Sequence, residues 1–262
     1  RRVSWLVPVY FLSAWLCGEL ALVHLVWQVG LTALLGFSGA LWDPLAQLGL
    51  GLFALSWLGL VYLHCQSMDT PFHLLPALQR ALGEDYRSDI PAARRPLLRD
   101  DIRTREWMRP FHFKREGVQQ HRHIPYSDGG KRNLLDIYQP DAPREGGFPV
   151  LLQVHGGAWV IGEKEQQAKP LMYHMAQRGW VCVAINYRLS PKAAFPAHIV
   201  DVKKAIAWIR EHIGEYGGNP DFIAITGGSA GGHLCALAAL TPNRAEWQPG
   251  FEDADTTVQA AV

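Results

Sequence analysis

Residues Asp221–Leu240 read DFIAITGGSAGGHLCALAAL, and the fold is read outward from them. The run Phe222-Ile223-Ala224-Ile225 is short, apolar and partly β-branched, as in a buried parallel strand. His233–Leu240 is rich in Ala and Leu, the composition of a helix. Gly227-Gly228-Ser229-Ala230-Gly231 lies between them and gives the pattern G-x-S-x-G. A serine placed on a sharp strand-to-helix turn has its hydroxyl pushed clear of the backbone, and such a turn leaves no room for side chains beside it. The helix that follows directs unpaired N–H groups toward the place where negative charge would develop. The pattern alone would also suit a tight turn with only a packing role. A strand before it and a helix after it are the context that makes Ser229 a candidate nucleophile.

Upstream, the texture from Val118 is that of an α/β domain. Gln119–Tyr126 and Asn133–Tyr138 read as strands, joined through Ser127-Asp128-Gly129-Gly130 as a hairpin. Val150–Val154 and Trp180–Ile185 are further apolar strands. Gln166–Gln177 and Pro196–Ile213 are helices, the latter with an apolar face at Ile199, Val202, Ile206 and Ile209. Val258–Val262 looks like the opening of another strand. Strands alternating with helices predict a mostly parallel sheet with helices on both faces.

His155-Gly156-Gly157-Ala158-Trp159 follows directly on the strand Val150–Val154. Glycines there lie at the ligand-binding edge of a parallel sheet, and no side chain shields their N–H groups. Gly156, Gly157 and Ala230 are therefore the expected donors to an oxyanion. HGGAW, then NYRLSP and FPA with Asp201, then GGSAGG resemble the α/β-hydrolase family. Within it they are similar to the carboxylesterases related to hormone-sensitive lipase and to the bacterial feruloyl-esterase-like group. The resemblance runs from Gln119 to the end of the chain. It implies Ser229 as the nucleophile of an ester hydrolase, with Gly156, Gly157 and Ala230 in the oxyanion hole. It implies that His155 shapes its loop and is not the base, and that Tyr187, Arg188, Pro196 and Asp201 brace the fold. No metal or organic cofactor is implied.

Composition divides the chain further. Between Val3 and Leu63 there is no Lys or Arg, and the only formal charges are Glu19 and Asp43. Trp5–Val29 and Leu45–Leu63 are each about long enough to cross a bilayer, with Gly30–Pro44 as a tight connection. Trp5, Trp27, Trp42 and Tyr62 fall near the ends, where aromatic belts sit. A membrane is thus an expected partner. Arg1-Arg2 and the arginines after the second run favour a hairpin with both ends cytoplasmic. Two such spans also resemble membrane-anchored esterases of actinobacteria. The expected organisation is a two-span region over residues 1–65, a charged, Pro-rich linker over 66–117 with a short amphipathic helix at Phe72–Leu82, and the hydrolase core over 118–262. Alternating charges between Arg94 and Glu106 read as a solvated surface. The net charge of +1 gives no reason to expect nucleic acid. Cys17, Cys65, Cys182 and Cys235 show no metal or disulfide spacing and read as buried free thiols.

The family order is Ser, then Asp or Glu, then His. After Ser229 the only histidine is His233, one turn into the same helix and expected to face along it. His174, His198 and His212 fall on helices, and Asp253 and Asp255 precede the last strand. The expectation is a hydrolase core incomplete at its C-terminal end, with triad acid and base beyond Val262. The alternatives are a non-catalytic, membrane-tethered binding module, or an acyltransferase or peptidase of the same fold.

Overall fold

The computed structural model describes residues 7–39, 42–92, 95 and 113–262. Arg1-Arg2, Trp5 and most of the charge run between Arg94 and Glu106 lie outside them. The chain divides into two compact units, Arg1–His112 and Phe113–Val262.

In the first unit, α1 is Val7–Glu19 and α2 is Ala21–Phe37. The single straight span expected over Trp5–Val29 is not formed, because the axes of Ser13–Glu19 and Ala21–Phe37 differ by 93°. Leu20, at φ −113° and ψ 29°, has left the helical region and makes the corner. Gly30 is helical, so the connection expected from Gly30 begins only after Phe37. α3, Pro44–Met68, starts with Asp43 accepting the Leu45 N–H at 2.8 Å and with Pro44 at its first position. α4, Thr70–Leu82, follows and contains the expected amphipathic segment. Pro44–Leu82 is the one stretch among the described residues long and apolar enough by itself to cross a membrane. Cys17 and Cys65 are exposed on these helices, while Cys182 and Cys235 are buried, so the reading as buried thiols holds for only two of the four. The helices carrying Cys17 and Cys65 are apolar all round, and apolarity there does not distinguish an inner from an outer face.

The second unit is a six-stranded sheet of order β1-β2-β4-β3-β5-β6. The strands are β1 Val118–Pro125, β2 Leu134–Pro140, β3 Phe148–Val154, β4 Val181–Ile185, β5 Gly218–Gly227 and β6 Ala260–Ala261. The β1–β2 hairpin and the β2–β4 pairing are antiparallel, and β4–β3, β3–β5 and β5–β6 are parallel. The sheet is thus mixed and mostly parallel, as expected.

Alternation along the strands builds two cores. Leu135, Ile137, Val150, Leu152, Val154, Val183, Ile185, Ile223 and Ile225 pack on one face against α6, Ala197–His212, and α7, Ala230–Leu240. Tyr138, Leu151, Cys182, Ala184 and Ala224 face α5, Lys169–Gln177, through Met172, Tyr173 and Ala176. Each fully buried Val, Leu or Ile contributes about 1.5–3 kcal/mol. β3 and β5 are buried on both faces, so the loops leaving their C-terminal ends start from fixed points.

Candidate active site

β5 ends at Gly227 and α7 begins at Ala230, so Gly228 and Ser229 make the whole turn between them. Ser229 is exposed, with φ 55° and ψ −121°, a backbone region that L-residues avoid. The surrounding contacts explain the glycines. A Cβ on Gly231 would lie 2.1 Å from Val154 O, and one on Gly227 would lie 2.6 Å from the Gly231 carbonyl carbon. The first turn of α7 therefore rests directly on the ends of β3 and β5. Ala230 is buried and is the first residue of that helix, where an N–H has no partner in the turn before.

The loop leaving β3 meets this turn. A Cβ on Gly156 would lie 2.6 Å from Gly228 O and 3.4 Å from Ser229 Cβ. Gly157 has φ 123°, and a Cβ on it would meet Ile161 O at 2.1 Å. The expected glycines are thus brought to the expected serine by backbone contact. The loop is held at several points. The Tyr187 hydroxyl donates to His155 O at 2.9 Å, and its ring stacks on the imidazole at 4.4 Å between centroids. His155 Nδ1 lies 2.7 Å from Gly156 O, the Ser190 N–H donates to Trp159 O at 2.8 Å, and the Arg132 guanidinium donates to Gly162 O at 2.9 Å. Burial pushes the His155 pKa below the usual histidine range, against a smaller upward pull from the Gly156 carbonyl. His155 is wholly buried in the loop.

The Gly156 N–H, one of the expected donors, has an acceptor within the protein: it donates to Gln167 Oε1 at 2.8 Å. Gln167 lies 11 positions further along the loop, and nothing in the sequence marked it. Asp136 and Lys164 also escape a reading of the sequence. Lys164 Nζ lies 2.8 Å from Asp136 Oδ1 with both side chains buried, and the Lys164 N–H donates to Asn186 Oδ1 at 2.8 Å. The bulge at β1 joins this cluster, with the His123 N–H on Asp136 Oδ1 at 2.9 Å. An acidic residue inside an apolar strand, Asp136 in LLDIY, is the one signal that could have pointed to it.

Among the described residues no histidine side chain hydrogen-bonds to the Ser229 hydroxyl; the one histidine bond to Ser229 is the helical one from the His233 N–H to Ser229 O at 3.0 Å. His233 was expected to face along its helix. Its ring lies T-shaped to that of Trp159 at 5.3 Å between centroids, a contact between α7 and the glycine loop. His198 lies 3.3 Å from Ser190 Oγ, and His212 pairs with Glu215 at 3.3 Å. Arg188 binds Asp201 through two nitrogens, at 2.7 and 2.9 Å, which makes the expected brace between the β4 loop and α6. Asp255 pairs with Arg210 near the end of α6 at 3.1 Å, away from Ser229. No group of three or more His, Cys, Asp or Glu among the described residues is arranged to hold a metal ion.

Comparison with known proteins agrees with this geometry. Residues 135–262 match the family model described as BD-FAE. "Probable carboxylic ester hydrolase LipM" of Mycobacterium tuberculosis (strain ATCC 25618 / H37Rv) is 51% identical over 80% of this chain and 49% of its own length. "Esterase LipQ" of the same strain is 62% identical over 53% of this chain and 33% of its own. The chain therefore spans about half or less of these relatives. Among solved structures, a bifunctional GH43-CE protein of Bacteroides eggerthii is similar, with TM-score 0.51 and 31% identity over 54% of this chain and 22% of that one.

Proposed function

We propose that this chain, whose residues 135–262 match the BD-FAE family model, contributes the nucleophile and oxyanion loop of a carboxylic-ester hydrolase. The observation that carries the reading is Ser229 at φ 55° on the β5–α7 turn, with the Gly156 backbone against it. The Ser229 hydroxyl attacks the ester carbonyl carbon, and the carbonyl oxygen becomes an oxyanion. The N–H groups of Gly157 and Ala230 stabilise that charge, and one such donor is worth about 3 kcal/mol in the transition state. Collapse expels the alcohol and leaves an acyl-serine, which water then cleaves. Both steps need a base that takes a proton from the attacking group, first the Ser229 hydroxyl and then water, and passes it to the departing oxygen, first that of the alcohol and then Ser229 Oγ. His155 is excluded from that role by its burial and its bond to Gly156 O. The relatives named as ester hydrolases support the reaction class. The substrate is a small ester whose apolar part meets Trp159, Val160 and Ile161, all partly exposed on the glycine loop. α3 anchors the protein in a membrane, on the strength of its length and apolar composition.

The test is hydrolysis of p-nitrophenyl butyrate by the full-length protein beside its Ser229→Ala variant. Loss of at least about 1,000-fold in kcat is expected, with stoichiometric labelling of the wild type by a fluorophosphonate and none of the variant. Unchanged turnover in the variant would remove Ser229 from the reaction.

A further inference from the structure

We infer that Gln167 is a positioning residue, whose side-chain carbonyl holds the Gly156 amide so that the glycine loop stays set against Ser229. The inference rests on the hydrolase reading above and adds a residue that reading does not require. Residues 155–164 are fastened through their carbonyl groups and at their far end: His155 O to Tyr187, Trp159 O to Ser190, Gly162 O to Arg132, and Lys164 to Asn186 and Asp136. The Gly156 N–H is held instead by a side chain, donating to Gln167 Oε1 at 2.8 Å. Gly156 is buried, so without Gln167 this donor would have neither that acceptor nor ready access to water.

The position makes the bond matter for chemistry. A Cβ on Gly156 would sit 3.4 Å from Ser229 Cβ and 3.5 Å from Gln167 Oε1, so Gly156 lies between the nucleophile and the carboxamide. The next amide in the chain is that of Gly157. The Gln167 bond holds the 155–156 peptide plane and the His155 Nδ1 contact to Gly156 O at 2.7 Å holds the 156–157 plane, so the two together set the direction from which the Gly157 N–H approaches an oxyanion. Lys164, buried with Asp136, anchors the segment from which Gln167 returns to the site. With Gln167 absent, the freed amide turns toward whatever oxygen is near, and a displacement of about 1 Å at a reacting centre can cost about 100-fold in rate.

The experiment compares full-length wild type with Gln167→Met, which keeps the length and removes the acceptor, and Gln167→Glu, which keeps an acceptor oxygen. Three readouts are taken: steady-state kinetics on p-nitrophenyl butyrate, the melting temperature, and amide hydrogen exchange of the peptide containing Gly156 by mass spectrometry. Gln167→Met is expected to lower kcat by about 10- to 100-fold with KM within about 3-fold, because the interaction matters in the transition state and not in substrate binding. Exchange at Gly156 is expected to quicken at least about 10-fold. Gln167→Glu should restore both to within about 3-fold of wild type. If Gln167→Met keeps wild-type kcat, or if kcat and KM fall together with the melting temperature and Glu does not rescue them, the positioning role is overturned. A wild type with no esterase activity would overturn the hydrolase reading, and the exchange comparison would still decide whether Gln167 holds the amide.

Discussion

At the scale of single residues, the site is a problem of clearance. The turn that holds Ser229 at φ 55° closes against the ends of β3 and β5 because Gly227, Gly231 and Gly156 have no side chains to collide with the facing backbone. The prediction is that Gly231→Ala destabilises the second unit by about 2 kcal/mol or more, since the added methyl would meet two backbone carbonyls, Val154 O at 2.1 Å and His155 O at 2.8 Å. Urea denaturation checks it, and an unchanged midpoint would mean that α7 can move away from β3 at little cost. Gly228→Ala at the adjacent position, where an added Cβ meets nothing within 4 Å, is the control. Requirements of this kind could be read from the sequence, because clearance at a strand-to-helix turn is a local need that glycine meets directly. The Gln167 bond could not, because an amide side chain in a loop has no periodicity and its partner is a backbone group chosen only by the fold. The same holds for Lys164, whose partner Asp136 lies on a distant strand.

At the scale of elements, α6 shows where a sequence pattern is right and still incomplete. Its apolar face of Ile199, Val202, Ile206 and Ile209 is buried as the spacing requires. Lys203 lies on that same side, wholly buried, and its ammonium reaches Thr241 O, Gln248 Oε1 and Thr256 Oγ1. It therefore ties the segment after α7 to the middle of α6 without a carboxylate partner among these acceptors. Burial, with a smaller contribution from Arg244, lowers the Lys203 pKa from 10.5 to about 8. The sign follows from proton uptake. Between about pH 8 and 10.5 the unfolded chain carries a proton on this lysine that the folded chain has lost, so stability rises with pH across that window and is lowest below it. The stability difference between wild type and Lys203→Met, from urea midpoints at about pH 7 and about pH 9.5, should shift in favour of wild type at the higher pH. A pH-independent difference would show that Lys203 keeps its proton in the folded protein. Position 203 is four residues after Ile199 on a helix, and a lysine there was a visible exception to the pattern, but only the fold shows which oxygens receive it.

At the scale of the whole molecule, the chain joins two units built by different rules. The strands β1 to β5, the first hairpin and the mostly parallel direction followed from apolar runs, turn chemistry and the Gly-rich loops, whereas the order β1-β2-β4-β3-β5 is a long-range pairing that no local pattern carries. The N-terminal unit carried less information, because an apolar segment with no charges reads the same whether it is straight or bent. The corner at Leu20 is marked only by Gly18 and Glu19 nearby, and neither specifies a bend of 93°. α3 is the element on which membrane attachment should depend. Leu55 and Leu58 lie near its middle and are exposed, at 66% and 69%, so arginines there would not disturb packing within the unit. Each arginine at the centre of a bilayer costs about 3 kcal/mol on insertion scales, and two together exceed what a single marginal span tolerates. The wild-type protein is therefore expected to stay in the membrane pellet after alkaline carbonate extraction, and the Leu55→Arg/Leu58→Arg double variant to move to the supernatant. Release of wild type by carbonate would remove α3 as an anchor. Retention of the double variant would place the attachment in another part of the protein, and the bent pair α1–α2 would be the next element to test.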